Sequence, residues 1–260
     1  MRPAYRRITR HAILLLAGLS ADALAAPPAS AAEASQKILS RPELGLERRQ
    51  ELADKLRVIT GWPGLHFDRE GTLRFGEEQT AGGSQSARRL LANAAAGKNL
   101  IVLEDASGRG DVVFCRVVEG RWKRGAGARP PVFIVQIDFA DFSRVMGDKA
   151  ALAAFDVGWG VLHEIDHVVN DTTDSVGLGV VGECEGSINR MRRERGVAER
   201  AEYLFTYLPG TEGSDFKTRY VRLAFERRDA RDKPKRHWLY WDAALVGGLP
   251  SPPSELAAAR

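Results

Sequence analysis

The sequence predicts an α+β protein. A small mixed or antiparallel sheet packs on one helix, and a second helix lies beside it. Three observations predict this. The runs 100–103, 112–118 and 132–139 are rich in Val and Ile and bounded by Gly and Pro, as strands are. Several stretches repeat apolar residues at helical intervals. Residues 161–169 read V-L-H-E-I-D-H-V-V, an apolar segment with polar groups at helical spacing.

Taken in order, residues 33–60 predict helix, with Ile38, Leu39, Leu52, Leu56 and Ile59 recurring among charged residues and a break at Pro42 and Gly45. A pro-segment is the alternative role for this stretch, and a core-packing helix the favoured one. Residues 65–75 alternate around Asp68–Gly71 and predict a hairpin that contains His66. Ser84 or Ser86 caps a helix that runs to Ala96 and closes at Gly97. After the three strands, residues 148–156 open a helical half. Gly158 and Gly160 either admit a close neighbour or break the helix before the 161–169 segment. That helix ends near Asn170. Asp171 and Asp174 beyond it read as turn and cap residues, with calcium ligation as the sharper alternative. Residues 183–194 predict the next helix, 203–208 and 216–225 predict strands, and 250–260 a frayed end.

The 260 residues carry 38 Lys and Arg against 34 Asp and Glu, a net charge of +4. Arg2, Arg6, Arg7 and Arg10 precede an apolar run, Ala12–Leu19, too short to span a bilayer, and small-residue cleavage sites follow at 23–25 and 30–32. Residues 1–32 therefore predict an export signal. The expectation is a single domain over 33–260, with a helix and sheet part at 33–147 and a helical part at 148–260, in the periplasm or outside the cell. Residues 1–32 hold four Arg and one Asp, so removing their +3 from +4 leaves +1. That excludes a nucleic-acid surface from the expectations, and no second apolar run predicts a membrane span. Two cysteines, Cys115 and Cys184, are too few for a Cys-based zinc site. They read either as a pair or as two buried thiols.

The chemistry centres on His163, Glu164 and His167. Positions i and i+4 of a helix share a face, so two imidazoles there can hold one metal ion. Glu164 lies about 100° further round, where a carboxylate reaches a water on the metal. Two of only five histidines stand at this spacing. The pattern points to a zinc ion (Zn2+), with Glu164 as the catalytic general base. Asp166, between Glu164 and His167, adds negative charge in a place where uncharged residues are usual. A catalytic zinc takes three protein ligands and one open position. Glu183 and Glu185, 16 and 18 residues after His167, are the candidates for the third. They stand about 200° apart on one helix, so only one can ligate.

Residues 159–194 resemble the gluzincin branch of the zincin metallopeptidases. The resemblance implies a zincin-like fold and a Glu ligand on the second helix, followed four residues later by a polar partner for the first His. Glu185 followed by Asn189 fits better than Glu183 followed by Ser187. It thus implies His163, His167 and Glu185 as metal ligands, Glu183 as runner-up, and Asn189 as hydrogen-bond partner of His163. Asn189, Arg192, Glu194 and Gly196 faintly resemble peptidase-like bacterial toxin and effector domains. The expected function is an exported zinc-dependent peptidase acting on peptide or protein. Residues 132–139 are the expected edge strand for substrate, with an interior strand as the alternative. Tyr203, Tyr207, Tyr220, His237 and Tyr240 are candidate oxyanion donors. The alternative function is a non-catalytic metal-binding or exported binding domain with a degenerate helix.

Overall fold

The computed structural model describes residues 37–76, 80, 82–120, 129–177, 179–208, 219–229 and 231–247. The predicted export signal and the 250–260 tail lie outside these residues. Residues 33–260 make one compact unit.

The chain is α+β, with small sheets. Its elements are β1 (Ile38–Ser40), a 3-10 turn (Pro42–Leu44), α1 (Gly45–Thr60), β2 (His66–Phe67), β3 (Leu73–Arg74), α2 (Gln85–Ala96), β4 (Leu100–Asp105), β5 (Cys115–Gly120), β6 (Val132–Ile137) and α3 (Phe139–Ser143). There follow β7 (Met146–Gly147), α4 (Lys149–Leu152), α5 (Val157–Asn170), α6 (Gly182–Glu194), β8 (Glu199–Arg200), β9 (Thr206–Tyr207), β10 (Tyr220–Arg228) and β11 (Pro234–Asp242).

The first sheet has the order β1-β4-β6-β5. β1, β4 and β6 run parallel, and β5 runs antiparallel to β6. β6 is therefore an interior strand, which corrects the edge-strand expectation for 132–139. β5 is the edge. Ile38 and Leu39, expected in a helix, are strand instead: each pairs with β4, and this long-range ladder outweighs the local helical pattern. Ile38 and Leu44 are fully buried, so this segment is part of the core rather than a removable pro-segment.

The second sheet, β7-β11-β10-β8 with β9 also on β10, is antiparallel. The part after residue 148, expected to be helical, is helical only to Glu194. Trp241 and Leu239 on β11 face Val221 and Leu223 on β10, so the aromatic tail closes a second core with Phe225.

α5 is the helix on which the first core is built, packed on α1, α2, α6, β5 and β6. Asp156 caps it, its Oδ1 accepting from the N–H groups of Gly158 at 3.0 Å and Trp159 at 3.3 Å. Val157, Val161, Leu162 and Ile165 are buried, each side chain worth about 1.5–3 kcal/mol. The two glycines permit close neighbours, not a break. A Cβ on Gly158 would stand 2.8 Å from Lys55 Cβ, and one on Gly160 2.8 Å from Phe142 Cζ and 3.0 Å from Cys115 Sγ. Asp171 ends the helix in the left-handed conformation at φ 54°, its N–H on His167 O at 3.1 Å. That reversal sends residues 172–174 back over the histidines.

Candidate metal centre

His163 and His167 share one face of α5, their ring centroids 4.8 Å apart. Each ring is held from its Nδ1 side. His167 Nδ1 lies 2.7 Å from Thr172 O, a carbonyl that only accepts, so Nδ1 carries the proton. His163 Nδ1 lies 3.4 Å from Glu185 Oε2. Both Nε2 atoms then point to one oxygen, Asp174 Oδ1, at 3.0 Å from His163 and 3.5 Å from His167. Three ligands about 2.1 Å from a tetrahedral metal stand about 3.4 Å apart. The two imidazole-to-carboxylate distances lie close to that spacing, so this cluster could hold a metal ion. Cys184 Sγ belongs to the same group, all four ligand atoms lying within 4.8 Å of one another. Its thiol donates to His163 O at 3.3 Å.

Glu185, expected as the third ligand, is on the other side of the His163 ring. Its carboxylate is ion-paired with Arg192 and, at 2.9 Å, with Arg200. Burial alone would raise its pKa, but those two guanidiniums and His163 hold it well below the usual carboxylate range. It fixes the His163 ring rather than facing the Nε2 atoms. Glu183, the runner-up, is exposed and accepts from Thr173 Oγ1 at 3.3 Å. Asn189 does not meet His163. Its Oδ1 accepts from Arg192 Nη1 at 2.9 Å and from the Arg200 N–H at 2.7 Å. Its Nδ2 donates to Arg200 O at 2.8 Å, so Asn189 ties β8 to α6 and aligns the guanidiniums around Glu185. The i+4 spacing puts Asn189 below Glu185, where the nearer charge is Arg192.

Asp174, expected as a turn residue with calcium ligation as the alternative, stands instead against both histidines. Its signal was position: the first carboxylate beyond Asp171 on the chain that the helix end turns back. Its backbone bridges Gly182, and its Oδ2 accepts from Tyr203 Oη at 2.5 Å. Tyr203 stacks on His163 at 6.0 Å and 15°. Of the candidate oxyanion donors, Tyr203 is the one this cluster holds. His237 lies 3.7 Å from Asp148 instead, and Tyr207 and Tyr220 are exposed.

The cluster is electrostatically tight. Asp174 pushes His167 up to about 11. Burial would lower His163, but Asp174, Cys184 and Glu185 raise it well above its ordinary value. Burial would raise Asp174, yet the two histidines and Tyr203 depress it. Asp166 takes no part. It is buried on another face, accepting from Asn170 Nδ2 at 2.7 Å and Thr172 Oγ1 at 2.9 Å, so its charge is spent on the loop that carries Thr172 and Asp174.

Glu164 faces a cavity of about 280 Å³ that also reaches His163. Burial raises its pKa despite both nearby histidines, and the Val117 N–H is hydrogen-bonded to it. Val117 lies mid-strand on β5, so the edge of β5 that is unpaired among the described residues runs along the face that carries Glu164. Cys115 and Cys184 are both free thiols. Comparison of the chain with family models, with curated proteins and with solved structures gives no match.

Proposed function

We propose that the protein is a zinc-dependent peptidase of zincin type in which His163, His167 and Asp174 hold the metal and Glu164 is the general base. The observation that carries this is the convergence of both Nε2 atoms on Asp174 Oδ1, beside a buried carboxylate at a cavity. When bound, zinc supplies Lewis acidity toward a carbonyl and lowers the pKa of a water. Glu164, its pKa raised by burial, takes a proton at its carboxylate and returns it to the leaving amine. Glu185 and Thr172 O orient the two imidazoles, and Tyr203 orients Asp174. The outer edge of β5, unpaired among the described residues, offers backbone groups to an extended peptide, which adds as a strand. Export to the periplasm or the outside rests on Arg2–Arg10 and Ala12–Leu19. No helix of the described residues is long and apolar enough to cross a membrane.

Metal content and hydrolysis of a peptide mixture test the reading. Wild type should hold one zinc. His167→Ala and Asp174→Ala should lose it. Glu164→Gln should keep it and lose about 10²–10⁴-fold in rate. Glu185→Gln should keep zinc yet lose about 3–5 kcal/mol of stability, because buried Arg192 is left without its counter-charge. Zinc retained by Asp174→Ala and lost by Glu185→Gln would sink this ligand set.

One observation favours a second reading, a closed and non-catalytic metal site: Cys184 Sγ stands with the other three donors. Four protein ligands would leave no position for water. Cobalt substitution separates the two. A thiolate-to-cobalt charge-transfer band that Cys184→Ser removes supports the closed site, and its absence supports the open one.

A further inference from the structure

Aromatic rings form one wall of the cavity beside Glu164. Phe114 lies 5.2 Å from Phe142, 4.9 Å from Phe155 and 5.3 Å from Trp241, and Phe205 lies 5.5 Å from Trp241, centroid to centroid. All five line it, with Leu223 of the second core. Away from Glu164 and His163, its polar wall is already satisfied: Glu185 is ion-paired with Arg192 and Arg200, and the Arg200 Nε and Nη2 donate to Glu202 O and Tyr203 O. At about 280 Å³ it falls just under the small-molecule range of roughly 300–1,000 Å³. That is room for one bulky side chain.

A second observation is independent of the volume. Phe114 has φ 60°, a left-handed conformation costly for a bulky residue. It is held there from both sides: its N–H donates to Asp141 Oδ2 at 3.1 Å, and its carbonyl accepts from the Asp138 N–H at 2.7 Å. Asp141 is buried and also accepts from the Gly247 N–H at 3.2 Å. The chain thus spends backbone strain to keep the Phe114 ring on the cavity wall, immediately before β5 begins. A peptide lying along β5 with its carbonyl at Glu164 brings a neighbouring side chain to this opening.

We infer that the cavity is a specificity pocket for an aromatic side chain next to the scissile bond. This rests on the peptidase reading above. Apolar burial and ring-edge contacts supply the selectivity, and a charged side chain that enters past Glu164 finds Glu185, Arg192 and Arg200 already paired with one another.

The test titrates zinc-loaded protein with hydroxamates that differ in one side chain: methyl, isobutyl, benzyl, carboxyethyl and aminobutyl. The benzyl compound should bind at least tenfold tighter than the methyl one, and the two charged compounds weakest. Val113→Phe, at a half-buried lining position, should bring the benzyl-to-methyl ratio near one. A flat series, or preference for a charged group, overturns the pocket. A parallel arm follows the methyl resonances of Val113 and Leu223 while metal-free protein is titrated with N-acetyl-phenylalaninamide. Shifts confined to those methyls support the pocket even if no hydroxamate binds, which would fault the metal site instead. Silence at those methyls in both titrations overturns it.

Discussion

Two carboxylates flank the His163 ring and have opposite duties. Glu185 meets Nδ1 and is neutralised by guanidiniums, whereas Asp174 meets Nε2 and has imidazoles, a tyrosine hydroxyl and the Cys184 thiol around it. A metal displaces protons from imidazoles, not guanidiniums, so Asp174 is the carboxylate that a cation can share. A pH dependence follows. In metal-free protein the folded-state pKa of His167 lies near 11, above its ordinary 6.5. The stabilisation from its pairing with Asp174 is complete below the unfolded value and is lost as pH rises through the folded one. Zinc competes with that same proton. Zinc uptake at neutral pH should release at least one proton, and affinity should rise with pH across this window. Calorimetry in buffers of different ionisation enthalpy reads it, and heats independent of buffer would contradict it. Both histidines and Glu164 were legible as residues because their spacing is local. Asp174 was not, because its role depends on a chain reversal at Asp171 and a bridge to Gly182.

At the scale of elements, α5 and α6 were legible because apolar spacing is a property of the segment itself. The end of α5 at Asp171 needs no distant partner to be read, whereas its start was left open at Gly158 and Gly160, whose close neighbours Lys55, Phe142 and Cys115 are distant in sequence. β1 was missed and β6 misplaced for the converse reason. Three residues gain strand character from β4 and from a bridge to Thr72, and interior or edge is decided by where β5 comes to lie. Asp166 shows the same limit: as a sequence feature it was an extra charge near a metal site, and as part of the fold it ties down the loop after α5. Asp166→Ala should release Asn170 and Thr172, loosen Asp174, and weaken zinc binding about 10–100-fold while leaving His163 and His167 in place. Competition with a chelator measures this. Unchanged affinity would mean that the loop is held by Gly182 and Tyr203 alone.

At the scale of the molecule, the histidine cluster and the cavity lie where two cores meet. Trp159 and Ile165 belong to one, Leu223 and Trp241 to the other. Buried Arg192 joins them, donating to Ala154 O at 2.9 Å with its guanidinium over Trp159 at 5.3 Å and Phe225 at 5.4 Å. A ligand at the cluster should therefore stabilise the whole unit. Zinc at 100 times its Kd adds about 2.7 kcal/mol, or roughly 5–10 °C in Tm for a chain of this size. Differential scanning calorimetry with and without chelator checks it, and an unmoved transition would contradict it.

The two free thiols give the molecule a pair of clocks. Cys115 lines the cavity, and burial pushes its pKa well up, so alkylation there waits on access and on a scarce thiolate. Cys184 is sealed between α5 and α6 and reacts only when these helices part. One alkylation time course should thus show two phases, each slowed by a different occupant: the first by an aromatic ligand, the second by zinc.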